Sequence, residues 1–204
     1  MVIYIIIGII VFVVVLAVVF KPKGPQLKDL KHLTEPRIIT KEKIKVICVE
    51  IQGDPNQSMG AAFGHLYKAF FQLKKNHKEL KMMAPIGRWS NYNNQGENED
   101  MSKLSGQIAF PVPDSVNEDE LKNLKNLDPD KVKLKIWEYG RTAEILHVGP
   151  YNEEKPTIDK LLKFIEDSHL KINGDHEEEY VKGPGMIPMG NPKKYLTIIR
   201  YPVK

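Results

Sequence analysis

The chain has 204 residues, of which 42% are hydrophobic and 27% are charged, and its formal net charge is +4. That length suffices for one good-sized domain or two fused half-domains. The positive charge is too mild and diffuse to indicate a nucleic-acid partner, and no RNA- or DNA-binding motif occurs. The single cysteine, Cys48, offers no intrachain disulfide.

Residues 2–20 are an almost unbroken apolar run, interrupted only by Tyr4 and Gly8. A helix over this run spans roughly 28 Å, about one bilayer core. A cleaved secretory signal peptide is the alternative interpretation, but no lysine or arginine precedes the run and no A-x-A pattern follows Phe20. We therefore predict a transmembrane anchor at residues 1–20.

A polar, proline-containing segment at residues 21–36 follows and is predicted to be a juxtamembrane linker. Its lysines lie on one side of the predicted anchor: Lys21, Lys23, Lys28 and Lys31. Because positively charged segments tend to stay in the cytoplasm, we expect a single-pass membrane protein whose globular domain is cytoplasmic. The same lysines are placed to meet anionic lipid.

The remaining chain, residues 37–204, shows one pattern used twice. Residues 37–112 and residues 132–204 each contain a strand, an amphipathic helix and two further strands in the same order. Gly53 precedes the helix in the first half, and Gly149 precedes it in the second. The shared order and spacing predict one supersecondary unit that occurs twice.

Helix-start signals occur at three places in this pattern. Ser58 and Thr157 are the predicted caps of the two main helices. Asn117 and Glu120 have the spacing of a capping box, which predicts a short helix between the halves. Repeated units bury their apolar faces against each other, and a cleft between two like halves is a natural small-molecule site. Small-molecule binding is therefore the first predicted function.

Three short motifs in the second half carry a family resemblance. They are His147-Val148-Gly149-Pro150-Tyr151 before the helix, Glu178-x-Tyr180 in the next strand, and Thr197-x-Ile199-x-x-Pro202-Val203 at the end. In this order they resemble the GyrI-like domain, a small-molecule-binding module also found as the effector-binding part of some bacterial transcription activators. The family often has glutamate after the terminal threonine. This chain has Ile198 there, so one polar contribution is missing.

The resemblance covers about residues 37–203 and implies an α+β fold. It implies duplicated βαββ units related by a pseudo-two-fold axis, with two main helices on one side of a curved antiparallel sheet. It also implies a ligand groove at the junction of the units, which takes up amphipathic or cationic aromatic molecules against an acidic residue and several aromatics. We expect a small-molecule ligand and no nucleic-acid partner, and the sequence identifies no protein partner.

The candidate ligand-binding residues are Glu178, Tyr180, Tyr151, Trp89 and Tyr92. Strand alternation places Glu178 and Tyr180 on one face and the two flanking glutamates on the other. A carboxylate beside aromatic rings suits a cation, since each ring adds ~0.5–2 kcal/mol and attraction is stronger where water is excluded. The alternatives are structural: a solvated strand edge for the glutamates, a pinned turn for Tyr151 and core packing for Trp89.

Two other function classes stay open. Some relatives in the family are reported to hydrolyse strained electrophilic toxins, which would make Glu178 a general base, with Glu144 as the only second acid that the sequence offers. A membrane-anchored protein-interaction adaptor is the other alternative. Cys48 lies mid-strand in an apolar segment, where an inert thiol is expected. The sequence therefore favours binding over catalysis.

No metal-ligand spacing connects the six histidines, which are His32, His65, His77, His147, His169 and His176. No H-E-x-x-H motif occurs. We therefore expect no metal and no cofactor. A haem-binding SOUL-like domain has a related double-unit fold, so an axial histidine is the alternative.

Overall fold

A computed structural model describes residues 25–90, 104–128, 130–184 and 190–204. The strands are β1 (Arg37–Lys41), β2 (Ile44–Gln52), β3 (Ile86–Trp89), β4 (Ser105–Pro111), β5 (Lys133–Trp137), β6 (Gly140–Val148), β7 (His176–Lys182) and β8 (Leu196–Pro202). The helices are α1 (Pro55–Asn76), α2 (Glu118–Lys122) and α3 (Lys155–Asp167). In these ranges no helix is long and apolar enough to span a bilayer, and the predicted anchor at residues 1–20 lies outside them.

The eight strands form one curled antiparallel sheet in the order β1-β6-β8-β7-β3-β4-β2-β5. Reading inward from one edge gives β1, β6, β8 and β7, and from the other edge β5, β2, β4 and β3. The order is symmetric about the junction of β7 with β3. This arrangement confirms the predicted α+β fold of duplicated βαββ units with a pseudo-two-fold axis.

The leading strand of each half pairs with the other half. β1 pairs with β6, with Arg37 opposite Glu144, and β5 pairs with β2, with Trp137 opposite Ile44. Each half therefore supplies an edge strand to its counterpart. The repeat in the sequence does not reveal this exchange, because it depends on which strand edges meet in space.

The two main helices lie on either side of the central strands, where the sequence predicts the groove. α1 packs on β2 and β4 through a core that includes Leu66, Phe70 and Ile47, and α3 packs on β6 through a separate core that includes Leu161 and Ile145. The central strands β3 and β7 therefore lie between the helices. We call the face of the sheet that the helices cover the inner face.

Glycines with positive φ reverse the chain before each main helix. Gly53 has φ 80° and Gly149 has φ 144°, in the left-handed region where an L side chain is strained. The two glycines thus occupy corresponding positions in the repeat and both have positive φ.

The predicted caps of the main helices were wrong. α1 begins at Pro55, and the Ser58 hydroxyl lies inside its first turn, where it donates to the Asp54 carbonyl at 3.0 Å. α3 begins at Lys155, and the Thr157 hydroxyl bonds to a ring nitrogen of His147 at 2.9 Å. Proline fits the first helical turn, so Pro55 permits an earlier start than the polar residue predicts.

The capping box before α2 is confirmed. The Asn117 side chain accepts from the Glu120 backbone N–H at 3.0 Å, and the Glu120 carboxylate accepts from the Asn117 N–H at 3.2 Å. This reciprocal pair satisfies two backbone donors at the helix start.

The outer face of the sheet carries a buried ion network. Arg200 of β8 donates to Glu144 of β6 at 2.8 Å and lies 3.4 Å from Glu177 of β7. Arg37 of β1 also donates to Glu144, at 2.6 Å. Arg88 of β3 donates to Glu177 at 2.9 Å. These bonds link strands from both halves across the junction of β7 with β3.

Candidate functional site

The junction of β3 with β7 forms the floor of the groove. Gly87 lies opposite Glu178 in the antiparallel register, and Trp89 lies opposite His176. Glu178 faces the helices and is 8% exposed, whereas the neighbouring Glu177 bonds to arginines on the outer face. The predicted strand alternation is therefore confirmed, and Glu178 is not part of a solvated edge.

Three side chains of the floor contact the Glu178 carboxylate. One oxygen lies 2.8 Å from His176 Nε2, and Tyr180 and Trp89 are the other polar neighbours. Burial by itself would raise the pKa of Glu178, but the contact with His176, followed by those with Tyr180 and Trp89, holds the pKa below its usual value. Glu178 is therefore ionised at neutral pH inside an aromatic environment.

A second buried carboxyl group lies beside Glu178. Glu154, at the residue before α3, is 4% exposed. Burial, followed by the negative charge of Glu178, raises the pKa of Glu154 to about 9. The pair therefore holds one ionised and one protonated carboxyl group at neutral pH.

Two buried polar atoms at this pair make no close hydrogen bond. Among the residues that the structure describes, neither Glu154 Oε1 nor Thr197 Oγ1 lies in ordinary hydrogen-bond geometry with a partner, and Thr197 and Glu178 are the polar neighbours of the Glu154 carboxyl group. A buried polar atom without a partner costs free energy, so such atoms are suited to a hydrogen bond with a bound molecule. The carboxyl pair and Thr197 thus form a polar end of the groove.

Tyr151 borders the groove but does not direct its hydroxyl into it. Its ring packs against Tyr180 at 5.6 Å and Tyr195 at 5.3 Å between centroids. A Cβ atom added at Gly183 would lie 2.6 Å from the Tyr151 hydroxyl, so this oxygen points at the backbone that follows β7. Tyr151 therefore contributes its aromatic ring, and not its hydroxyl, to the groove. The residue is 39% exposed.

A row of aromatic rings runs along one flank of α1. Phe63, Tyr67 and Phe71 are spaced four residues apart, with centroid distances of 6.0 and 6.2 Å. Tyr67 also lies 5.2 Å from Phe110 of β4. Phe63 and Tyr67 pack against the same core cluster as Tyr180, so these two rings and Tyr180 belong to one continuous apolar region.

The structure brings together four of the five predicted residues. Glu178, Tyr180, Tyr151 and Trp89 lie in one region of the inner face, and Tyr92 lies outside the described residues. Trp89 is 4% exposed and belongs to the core cluster under α1. It therefore also packs in the core, which was the alternative role for this residue.

Two expectations about polar groups were wrong. Glu144 is not a second acid of the groove, because it lies on the outer face and binds Arg37 and Arg200. Ile198 does not remove a polar group from the groove, because it packs with Leu33 on the outer face. Both errors concern which face of the sheet a residue occupies.

Sequence reasoning missed Glu154 and His176. Glu154 lies only three residues after Tyr151, at the start of the second helix, and its nearness to β7 depends on the fold. His176 and Glu178 are two apart on one strand, which places both on the same face, so this pair was detectable from the alternation. Within the described ranges, no group of His, Cys, Asp or Glu residues is arranged to hold a metal ion.

His147 holds the turn that carries Tyr151 and Glu154. Its Nδ1 lies 2.9 Å from the Thr157 hydroxyl and its Nε2 lies 3.2 Å from the Pro150 carbonyl. The carbonyl only accepts, so Nε2 carries the proton and Nδ1 accepts from the hydroxyl. Burial lowers the pKa of His147, which favours this neutral form.

The protonated state of Glu154 predicts an unusual pH dependence of stability. Its pKa is about 9 when folded but near the ordinary 4.5 when unfolded, so the folded protein holds more protons between these values. Stability therefore falls as pH rises through this window, by at most about 1.4 kcal/mol per pH unit. We expect Glu154→Gln to gain stability over the wild type as pH rises, in urea unfolding series at several pH values. The exposed neighbour variant Glu153→Gln is the control, and parallel curves for Glu154→Gln and wild type would contradict the assignment.

Comparisons with known proteins agree with this architecture. The family described as GyrI-like small molecule binding domain matches residues 34–204. An uncharacterized conserved protein from Listeria innocua has a similar solved structure, with a TM-score of 0.72 and 25% identity over 84% of this chain and 93% of that chain. No protein of curated function matches significantly.

Two further structures, both below 25% identity, show the same fold. A hydrolase from Listeria innocua has a TM-score of 0.72 and 23% identity, over 89% of this chain and 100% of that chain. EcmrR in an EcmrR–DNA complex has a TM-score of 0.57 and 13% identity, over 87% of this chain and 62% of that chain. At these identities the likeness establishes the fold alone.

Proposed function

Because the chain belongs to the GyrI-like small-molecule-binding domain family, we propose that it is a membrane-tethered module that binds a small amphipathic molecule, cationic or aromatic, for sensing or sequestration. The observation that carries this proposal is the Glu178 carboxyl group, which is buried among Trp89, Tyr180 and Tyr151 on the inner face of the sheet. The family membership supports a small ligand, and the carboxylate supports its charge.

The charge state of the groove favours a monocation. Glu178 is ionised while Glu154 stays protonated, so the two carboxyl groups together carry one negative charge at neutral pH, and the His176 ring is the basic group that contacts it. Opposite charges attract more strongly where water is excluded, and a cation over an aromatic face gains a further ~0.5–2 kcal/mol. A ligand with one positive charge and an aromatic body therefore complements this groove best.

The tether is proposed from the sequence. The apolar run at residues 2–20 is long enough for one bilayer span, and lysines follow it, including Lys28 and Lys31, which are exposed. We propose a single-pass membrane location with the globular domain in the cytoplasm. We expect no nucleic-acid partner, because the basic residues form no nucleic-acid-binding motif.

Matched probes test the binding function. Ethidium is an aromatic monocation and phenanthridine is its neutral parent ring system, so calorimetric titration of the full chain in a neutral detergent separates charge from ring stacking. We expect ethidium to bind at least about tenfold more tightly than phenanthridine, because one contact between opposite charges contributes a free energy of about that size. Equal affinity for both compounds would remove the cation from the proposal, and binding of neither would overturn the ligand-binding function.

A second candidate function, hydrolysis of an electrophilic small molecule, is favoured by the carboxyl pair. The pKa of Glu178 is lowered and that of Glu154 is raised. Two adjacent carboxyl groups whose pKa values differ in this way can act as a general base and a general acid. Glu178 would take a proton from a water molecule that attacks the electrophilic carbon, and Glu154 would protonate the leaving group. Product formation beyond one equivalent with an electrophilic probe, lost in Glu154→Gln, would favour this candidate over binding alone.

A further inference from the structure

The end of α1 and the segment after it expose an unusual set of apolar side chains. Phe71 is 48% exposed, Met82 46% and Met83 55%. They are three of the eight exposed large apolar side chains among the described residues, and all lie within residues 71–83. Exposed large apolar residues scattered singly need no explanation, but a group of them marks a contact site.

This segment is held in place by the rest of the domain. The Lys74 ammonium group donates to the Leu80 carbonyl at 3.1 Å, and the Leu80 side chain is buried. His77 is buried and lies 3.1 Å from the Glu120 carboxylate. The bond between Lys74, in the last turn of α1, and Leu80 ties the segment that includes residues 81–83 to the end of the helix.

The same segment is strongly basic. Its exposed lysines are Lys74, Lys75, Lys78 and Lys81. The single acidic residue in residues 71–83 is Glu79, and its carboxylate accepts from the Ser115 hydroxyl at 2.7 Å. We call the three apolar residues and the four lysines together the basic-apolar patch.

We propose that the basic-apolar patch docks on an anionic lipid bilayer. Phenylalanine and methionine side chains enter the boundary between headgroups and acyl chains, while lysines beside them contact lipid phosphate and carboxylate groups. Charge complementarity selects an anionic surface, and the apolar tips select a lipid surface over a purely acidic protein. The apolar run at residues 2–20 predicts that a bilayer lies near this domain.

Docking in this way would orient the groove relative to the membrane. Phe71 belongs both to the patch and to the aromatic row with Tyr67 and Phe63. Phe63 and Tyr67 pack against the same core cluster as Tyr180, so the patch is continuous with the apolar region that includes this groove residue.

A fluorescent label at the patch tests the proposal in the full chain. The native Cys48 is 1% exposed, so an environment-sensitive thiol dye attaches to Met83→Cys and leaves the native thiol unlabelled. The matched control is Ile172→Cys, an exposed apolar residue that follows α3 in the other half. Each labelled protein is reconstituted into nanodiscs of phosphatidylcholine alone or with phosphatidylserine.

We expect a blue shift and a gain in emission at position 83 with phosphatidylserine, reversed by high salt, and no such change at position 172. Replacing Lys75, Lys78 and Lys81 by glutamine should reduce the shift, because each lysine contributes separately near an anionic surface. Equal spectra at the two positions, or an equal shift in phosphatidylcholine alone, would overturn the proposal. A shift induced by polyglutamate but not by phosphatidylserine would assign the patch to an acidic protein instead.

Discussion

Replacing Glu178 by glutamine should lower the affinity for ethidium by about 10- to 100-fold, since a hydrogen bond or contact to a charged group contributes about 1.5–3 kcal/mol. The substitution removes the one negative charge of the groove at neutral pH while it keeps the shape of the side chain. The glutamine oxygen still accepts from His176 Nε2, so the floor formed by β3 and β7 keeps its hydrogen bond. Titration calorimetry of the full chain measures the loss directly.

The control for this variant is Glu166→Gln, which removes an exposed carboxylate from α3. The net charge of the two variants is equal, so a difference between them reports the position of the charge and not the overall field. Thermal melts of both variants confirm folding before titration. If Glu178→Gln and Glu166→Gln bind ethidium equally, Glu178 is not the counter-charge of the ligand.

The second large effect concerns the ion network on the outer face. Arg200→Met should reduce the free energy of unfolding by up to about 3–5 kcal/mol, because it removes the cation that three carboxylates share. Arg37 still contacts Glu144 and Arg88 still contacts Glu177, so each buried carboxylate keeps one arginine and this figure is the upper end. Arg200 donates to Glu144 at 2.8 Å and to Glu179 at 2.6 Å, and lies 3.4 Å from Glu177. Glu144 and Glu177 are 2% and 1% exposed, so water does not replace the lost partner.

The matched control is Arg141→Met, at an exposed position on β6. A surface substitution of this kind changes stability by no more than about 0.5 kcal/mol. Urea unfolding of both variants measures the difference. An Arg200→Met variant as stable as Arg141→Met would show that the network does not stabilise the junction of the halves.

The pH dependence of the free energy of unfolding of Arg200→Met provides a second test of the ion network. Burial would raise the pKa of Glu144, but its bonds to Arg200 and Arg37 hold the pKa below the ordinary 4.5. The stabilisation is therefore present above that value and is lost as pH falls through the lower folded pKa. We expect the gap between wild type and Arg200→Met to narrow as the solution becomes acidic, since protonated carboxyl groups no longer need the cation.

Much of the fold was predictable because it is periodic. The alternation at residues 177–180 placed Glu178 and Tyr180 on one face, and the contacts of Glu177 with arginines confirm the opposite face for its neighbour. The repeat predicted two βαββ units, and Gly53 and Gly149 take positive φ at corresponding turns. Side-chain period and turn chemistry are local properties, so they can be read directly from neighbouring residues.

The composition of the groove was only partly predictable. The sequence identified Glu178 and its aromatic neighbours but offered Glu144 as the second acid, and the structure places Glu154 there instead. The aromatic row of α1 was also missed. The sequence predicted only an amphipathic helix there, and helical spacing does not show which of its aromatic residues contact one another at the edge of the core.

The sequence by itself determined the strand and helix order, the twofold use of one unit and the face on which Glu178 lies, because these follow from local periodicity. The tertiary structure alone decided that β1 and β5 exchange between the halves and that Glu154 approaches Glu178. Both depend on contacts between segments that are distant along the chain. Such contacts are set by strand register and helix packing, and these in turn determine which of the two carboxyl groups holds a proton.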